Sequence, residues 1–88
     1  MAIHPDQLTL YHFTTCPFCL RVRMAIKQLG LKIKHKNIHQ DGDAHAELLA
    51  GSGRGRVPCL RIDPPDGEPT WMYESADIVH FLRDSFGT

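Results

Sequence analysis

The chain has only three cysteines, a single tryptophan and no excess of either charge, since its 88 residues hold 10 lysines plus arginines and 10 aspartates plus glutamates. Three cysteines are too few for a disulfide scaffold. A net charge of zero argues against nucleic-acid binding through overall charge. No apolar run is long enough to span a membrane, and residues 1–6 lack the apolar core of a signal peptide. We therefore expect a protein of the cytoplasm, where thiols remain reduced. We expect neither membranes nor nucleic acids as its partners.

The length predicts one small domain over residues 1–88, with a folded core at about residues 7–86. A chain of this size buries about 60 per cent of its unfolded surface, so its core is modest. Its hydrophobic content of 42% is ordinary for a globular protein. We find no internal repeat, linker or low-complexity tract, and we expect a monomer.

The central feature is a Cys-Pro-Phe-Cys motif, in which Cys16 and Cys19 enclose a proline and an aromatic residue. An apolar run precedes the motif, and apolar residues recur at helical spacing from Cys19 onwards. Cys16 is therefore predicted at the N-terminal edge of a helix, where proline is tolerated in the first turn. Unpaired amides and the helix dipole favour an anion at that edge, so we expect the Cys16 thiolate to be stabilised. In a reducing compartment such a pair indicates catalysis or metal binding rather than a structural disulfide.

Periodicity predicts an α/β fold. Strands are expected over residues 7–13, 31–37, 57–62 and 70–73, and helices over residues 17–29, 44–50 and 75–86, with Ser75 as the N-cap of the last helix. Gly30 stands where a glycine should end the first helix, and lysines on the second strand suit a sheet edge. The first strand-helix-strand unit requires a parallel pair, and the tight turn between the last two strands requires an antiparallel hairpin. Together they predict a mixed four-stranded sheet with flanking helices in the order βαβαββα.

Three short motifs in this order resemble the glutaredoxins, a family with the thioredoxin fold: Cys16 to Cys19 after the first strand, Val57-Pro58 at the third strand, and Glu74-Ser75 at the last helix. Residues 56–78 are also similar to the glutathione-binding half of glutathione transferase N-terminal domains. The resemblance covers about residues 7–86. It implies a glutathione-dependent thiol–disulfide oxidoreductase that reduces protein disulfides and glutathione mixed disulfides, with glutathione as co-substrate and no metal.

The resemblance also implies a role for each matching residue. Cys16 would be the nucleophile and Cys19 the resolving thiol. Pro58 would follow a cis peptide bond, and Val57 would offer its backbone to glutathione as an added strand does. The residues expected to bind glutathione are Phe18, Arg56, Val57, Pro58, Glu74 and Ser75.

One position departs from the glutaredoxin pattern. Many glutaredoxins have a lysine three residues before the first cysteine, where it pairs with the glycine carboxylate of glutathione, and here that position is Phe13. Arg56, directly before Val57-Pro58, is the candidate to supply the missing charge. If neither residue does so, a thioredoxin-like protein reduced directly by a reductase is the alternative.

Other functions stay open. Some glutaredoxins share an iron–sulfur cluster between two protomers with glutathione as co-ligand, although Pro17 disfavours this in the resemblance. A non-catalytic glutathione-binding module is a further alternative, whereas the six histidines do not present the four convergent ligands of a zinc site. Cys59 is interpreted as a small buried side chain rather than a regulatory thiol. Arg54 and Arg56 are interpreted as a solvated or anion-facing loop rather than a nucleic-acid patch.

Overall fold

A computed structural model of the protein describes residues 4–13, 15–65 and 67–87. Over these residues a short 3-10 helix at Pro5–Gln7 leads into four strands and three helices: β1 (Leu8–His12), α1 (Pro17–Gln28), β2 (Lys34–Asn37), α2 (Gly42–Ser52), β3 (Cys59–Ile62), β4 (Thr70–Met72) and α3 (Ser75–Phe86). No helix within these ranges has the length and apolar character needed to cross a membrane. The expected order of elements is confirmed.

The strands form one mixed sheet in the order β2-β1-β3-β4. Strands β1 and β2 are parallel, whereas β3 runs antiparallel to both β1 and β4. The parallel pair and the antiparallel hairpin predicted from connection lengths are therefore both present. The lysine-bearing strand β2 lies at a sheet edge, and Lys36 on it pairs with Glu47 of α2 at 2.6 Å.

Side chains alternate along each strand, so each strand contributes residues to both faces of the sheet, and both faces are covered. On one face Leu8 and Leu10 pack with buried residues of α1 and α3, among them Val22 and Ile78. On the other face Tyr11 packs with a smaller cluster of Ala44, Leu48 and Cys59. Cys59 is fully buried there, as predicted. The larger cluster joins α1 to α3, and that pairing fixes the two helix starts that border the candidate site.

The first helix ends as its glycine predicts. Gly30 has a φ of 67°, in the left-handed region, which glycine adopts without steric cost. Its N–H donates to the carbonyl of Lys27 at 3.1 Å, and the N–H of Leu31 donates to that of Ile26 at 3.1 Å. These paired bonds are those of a Schellman motif, which satisfies carbonyls at the helix end.

Several predicted boundaries need correction. Strand β2 begins at Lys34 rather than at residue 31, because its pairing with β1 starts at Thr9 and Lys34. Strand β3 begins at Cys59, since the Val57–Pro58 peptide bond is cis and proline has no N–H for the ladder. Strand β4 likewise ends at Met72, one residue earlier than expected.

Helix α2 is longer than the predicted segment 44–50 at both ends. The side chain of Asp41 accepts the N–H groups of Asp43 and Ala44 at 3.0 and 3.3 Å, so the helix starts at Gly42. The helix continues through Gly51 and Ser52, both expected in a loop. The N-terminal extension depends on an N-cap interaction between neighbouring residues. The C-terminal extension instead lies against Trp71 of β4, which is distant in sequence.

Candidate functional site

Cys16 is the N-cap of α1, where the connection from β1 enters the helix. Its backbone is extended, with φ −80° and ψ 116°, and its carbonyl accepts the N–H of Leu20 at 3.0 Å. Its Sγ accepts the backbone N–H of Cys19 at 3.3 Å. The sulfur thus replaces the oxygen of an ordinary N-cap and contacts a helix amide that has no intrahelical partner.

The two motif thiols are unequal. Cys16 is 6% exposed and Cys19 is completely buried, and both are free thiols. Burial raises the pKa of Cys19 to about 12, and its hydrogen bond to Cys16 acts in the same direction, while the Phe13 backbone and Arg23 oppose the shift. Cys19 therefore keeps its proton at neutral pH. A chemical role as first nucleophile is consequently open to Cys16 and not to Cys19.

A cavity of about 200 Å³ lies beside the motif. It is formed by three segments that are far apart in sequence: the first turn of α1, the segment before β3, and the β4–α3 junction. The residues that line it are Phe18, Arg56, Val57, Pro58, Tyr73, Glu74 and Ser75. The structure thus brings together all six residues that the sequence predicted to bind glutathione, and Phe18 joins them to the cysteine motif.

The cavity contains charges of both signs. Arg56 and Glu74 are both exposed, on opposite segments of the lining, while Pro58 and Ser75 are buried. The start of α3 contributes backbone N–H groups that have no intrahelical partner. A small zwitterion with separate carboxylate and ammonium groups therefore matches this lining better than a simple anion does.

The prediction that Ser75 is the N-cap of α3 is wrong. Glu74 holds that position, and its carbonyl accepts the N–H of Ile78 at 3.0 Å, so Ser75 is the first helical residue. Glu74 has a φ of 64° and a ψ of 114°, a sparsely populated backbone conformation that costs a residue with a Cβ about 1–3 kcal/mol. Backbone strain at a single non-glycine residue beside a cavity is a recognised mark of functional sites.

Tyr73 is the lining residue that sequence reasoning missed. Its hydroxyl donates to the carbonyl of Ser52 at 3.0 Å, and the guanidinium carbon of Arg54 lies 5.6 Å from its ring centre. The side chain thus ties the end of α2 to the cavity. The sequence signal that could have identified Tyr73 is its position directly before the Glu74-Ser75 motif. Arg54 is accordingly a partner of an aromatic ring and not only a solvated loop cation.

Phe13 is engaged away from the cavity. Its ring stacks on that of His39, with centroids 4.5 Å apart and an interplanar angle of 13°. Within the described ranges no group of three or more histidine, cysteine, aspartate or glutamate side chains is arranged to hold a metal ion. Arg56 is the cationic side chain among the described residues that line the cavity.

Comparisons with known proteins agree on the family. The family model described as glutathione S-transferase, N-terminal domain, matches residues 10–88. Glutaredoxin 2 of Escherichia coli strain K12 is 30% identical over 77 residues, which are 85% of this chain and 32% of that protein. The chain therefore spans about a third of the length of the first curated relatives it matches.

Solved structures agree on the fold. Glutathione transferase Omega 1C from Trametes versicolor superposes with a TM-score of 0.76 at 22% identity, over 93% of this chain and 38% of that one. A glutathione transferase homologue from Sulfitobacter, solved with bound glutathione, gives 0.70 at 23% identity, over 91% of this chain and 37% of that one. The thioredoxin-like fold expected from the sequence is confirmed.

Proposed function

The chain belongs to the family of glutathione S-transferase N-terminal domains, and we propose that it is a glutathione-dependent thiol–disulfide oxidoreductase that acts through Cys16. The observation that carries this proposal is the cavity in which Phe18 of the cysteine motif meets Arg56 and Glu74. A glutathione molecule held there would have its own sulfur next to the motif. The similarity to Glutaredoxin 2 supports the same reaction class.

The reaction begins when the Cys16 thiolate attacks the glutathione sulfur of a mixed disulfide. The target thiolate leaves and takes up a proton, and Cys16 now carries glutathione. The thiolate of a second glutathione attacks the glutathione sulfur on Cys16, which restores the Cys16 thiolate and releases glutathione disulfide. One reduced glutathione is thus consumed for each mixed disulfide, the other half of the glutathione disulfide comes from the substrate, and no other reductant is needed within the cycle.

Cys19 has a smaller role in this cycle. Because burial and the Cys16 hydrogen bond raise its pKa to about 12, Cys19 is a poor competitor of glutathione for the mixed disulfide. With a protein disulfide as substrate, Cys16 first attacks one substrate sulfur and releases the other as a thiolate. Cys19 then gives its proton to that thiolate and attacks the sulfur of Cys16, which frees the second substrate sulfur as a thiolate and forms a Cys16–Cys19 disulfide. Glutathione then reduces that disulfide.

The cavity would hold glutathione by its charges and by backbone pairing. We assign the glycine carboxylate to Arg56 and the γ-glutamyl ammonium to Glu74, with the γ-glutamyl carboxylate at the N–H groups that begin α3. Val57 would pair its backbone with the cysteinyl residue of glutathione, as an added strand does. Bound glutathione in the Sulfitobacter homologue of similar fold supports this choice of ligand. Activity in the cytoplasm, where glutathione is reduced, stays a prediction.

A second candidate is a glutathione-binding module without turnover. The chain spans 32% of Glutaredoxin 2 and 38% of the Omega 1C transferase, so both of these relatives contain further polypeptide outside the matched region. If such additional chain supplies the second substrate site, the present domain alone binds glutathione and catalyses nothing.

The test is turnover of the mixed disulfide between glutathione and 2-mercaptoethanol, coupled to glutathione reductase. We expect wild-type turnover, total loss in Cys16→Ser, and retention in Cys19→Ser. Cys59→Ala is the matched control, because Cys59 is buried on the opposite face of the sheet and should not affect the rate.

Two results would reject the proposal. Glutathione binding by calorimetry without turnover would favour the module, and loss of activity in Cys19→Ser with the mixed disulfide would show that glutathione does not resolve Cys16. A brown anaerobic preparation with a visible absorption band would instead favour the iron–sulfur alternative.

A further inference from the structure

A second and larger concavity lies on the outer side of the α1–α3 pair. It encloses about 540 Å³, and Val79 lies on its floor. Leu20 and Met24 line it from α1, one helical turn apart, and are 51% and 52% exposed. Large apolar side chains at i and i+4 that face a groove instead of a core indicate a surface that is covered by another molecule.

The rim of this groove has charge of one sign. Arg21 on α1 and Arg83 on α3 are both exposed and line it together with His80. None of the described residues that line the groove bears a carboxylate. The ion pairs found among the described residues belong to Lys36 and Arg61, so both groove arginines are available to an external anion. A chain with zero net charge therefore has a local cationic, apolar surface.

The groove meets the reactive site at the first turn of α1. Pro17, the residue after Cys16, lines the groove, and Phe18 lines the glutathione cavity. A peptide segment lying along the groove would therefore reach the first turn of α1 at Pro17, next to the turn residue that borders the glutathione cavity. This is the arrangement that exchange between a bound glutathione and a bound protein thiol requires.

We propose that this groove docks the protein substrate, through a segment that has apolar side chains flanked by aspartate or glutamate. The inference rests on the proposed reaction and adds the chemistry of the substrate to it. A second copy of this chain fits less well, since a two-fold contact would place Arg21 and Arg83 against the same two arginines. An acidic apolar segment instead complements both the rim and the floor.

The experiment compares three synthetic peptides, each with one glutathionylated cysteine. The first has leucine and glutamate around the cysteine, the second leucine and lysine, and the third serine and glutamate. We expect kcat/KM for the first to exceed that for the others about tenfold at low salt, with the advantage over the lysine peptide falling as salt rises.

Two variants locate the effect. The double substitution Arg21→Glu, Arg83→Glu should remove the preference for glutamate, while turnover of the small mixed disulfide is unchanged. The matched control is Lys32→Glu, Lys34→Glu, which makes the same change in net charge at exposed residues outside the groove and should keep the preference.

Equal kcat/KM for all three peptides would overturn the proposal, as would loss of the preference in the control variant. Dimerisation that Leu20→Ser, Met24→Ser abolishes, measured by sedimentation, would assign the groove to a second copy and also overturn it. Binding of a cysteine-free acidic apolar peptide to Cys16→Ser, followed by fluorescence anisotropy, tests the groove without catalysis. Failure of small-substrate turnover therefore counts against the reaction, and failure of this binding counts against the groove.

Discussion

Gly51 is a position where the structure allows no side chain, and Gly51→Ala tests the packing that supports the cavity. A Cβ built at Gly51 would lie 2.6 Å from Cε2 and 2.8 Å from Cη2 of Trp71, far inside carbon–carbon contact distance. The Trp71 ring is held in place, because the ring of Tyr11 lies 5.5 Å and the guanidinium of Arg61 lies 5.3 Å from its centre. The added methyl group must therefore displace either α2 or the ring.

The expected loss is about 1–2 kcal/mol in the free energy of unfolding. Overpacking costs about 1–3 kcal/mol, and contact with three atoms of a held ring puts Gly51→Ala in the upper part of that range, at about 2–3 kcal/mol. Replacing a helical glycine by alanine returns about 0.5–1 kcal/mol through lower backbone entropy in the unfolded chain. For a domain of this size the net loss lowers the Tm by about 5–15 °C. Since Trp71 lies on β4, two residues before Tyr73 in the cavity, we also expect a higher KM for glutathione.

Urea unfolding followed by tryptophan fluorescence measures the loss directly, since Trp71 is the single tryptophan. Gly42→Ala is the matched control: Gly42 also lies in α2, but its Cβ would have nothing within 4 Å. We expect the control to be neutral or slightly stabilising. If Gly51→Ala is as stable as Gly42→Ala, with an unchanged m-value, the described contact between α2 and Trp71 is wrong.

Three further changes test single features. The pKa of His12 is lowered from 6.5, mainly by burial and further by the nearby Arg23 and His35. Below pH 6.5 His12 therefore takes up a proton in the unfolded chain more readily than in the folded protein. The free energy of unfolding should therefore fall from pH 7 to pH 5, and urea midpoints should fall less in His12→Asn than in the wild type. An equal fall in both proteins would contradict this prediction. Tyr73→Phe loses the bond to the Ser52 carbonyl and should lower the unfolding free energy by about 0.5–1.5 kcal/mol in urea titration; no change would mean that the bond is not formed. Glu74→Gly relieves the positive φ, so it should be at least as stable as Glu74→Gln, while calorimetry should show weaker glutathione binding in both; a less stable glycine variant would contradict the strain.

Local sequence determined the elements and their order, because the signals for them lie within a few residues. The Cys16-Pro17 step marks the start of α1 through the N-cap and the tolerated proline, and Gly30 marks its end through its positive φ. The short connections then fixed the parallel and antiparallel pairs. The family resemblance of three short motifs proposed Cys16, Cys19 and the six candidate glutathione contacts, and the structure places those six residues around one cavity.

Contacts between distant segments decided the rest. Gly51 lies in α2 and not in a loop, and Trp71, twenty positions further along the chain, occupies the space that a side chain at Gly51 would need. Tyr73 lines the cavity while its hydroxyl donates to the carbonyl of Ser52, and Glu74 rather than Ser75 is the N-cap of α3, with a φ of 64° after β4. Sequence patterns report the periodicity and the turn chemistry of one segment at a time. The space left for a side chain, and the face it shares with another segment, depend on how the sheet brings those segments together.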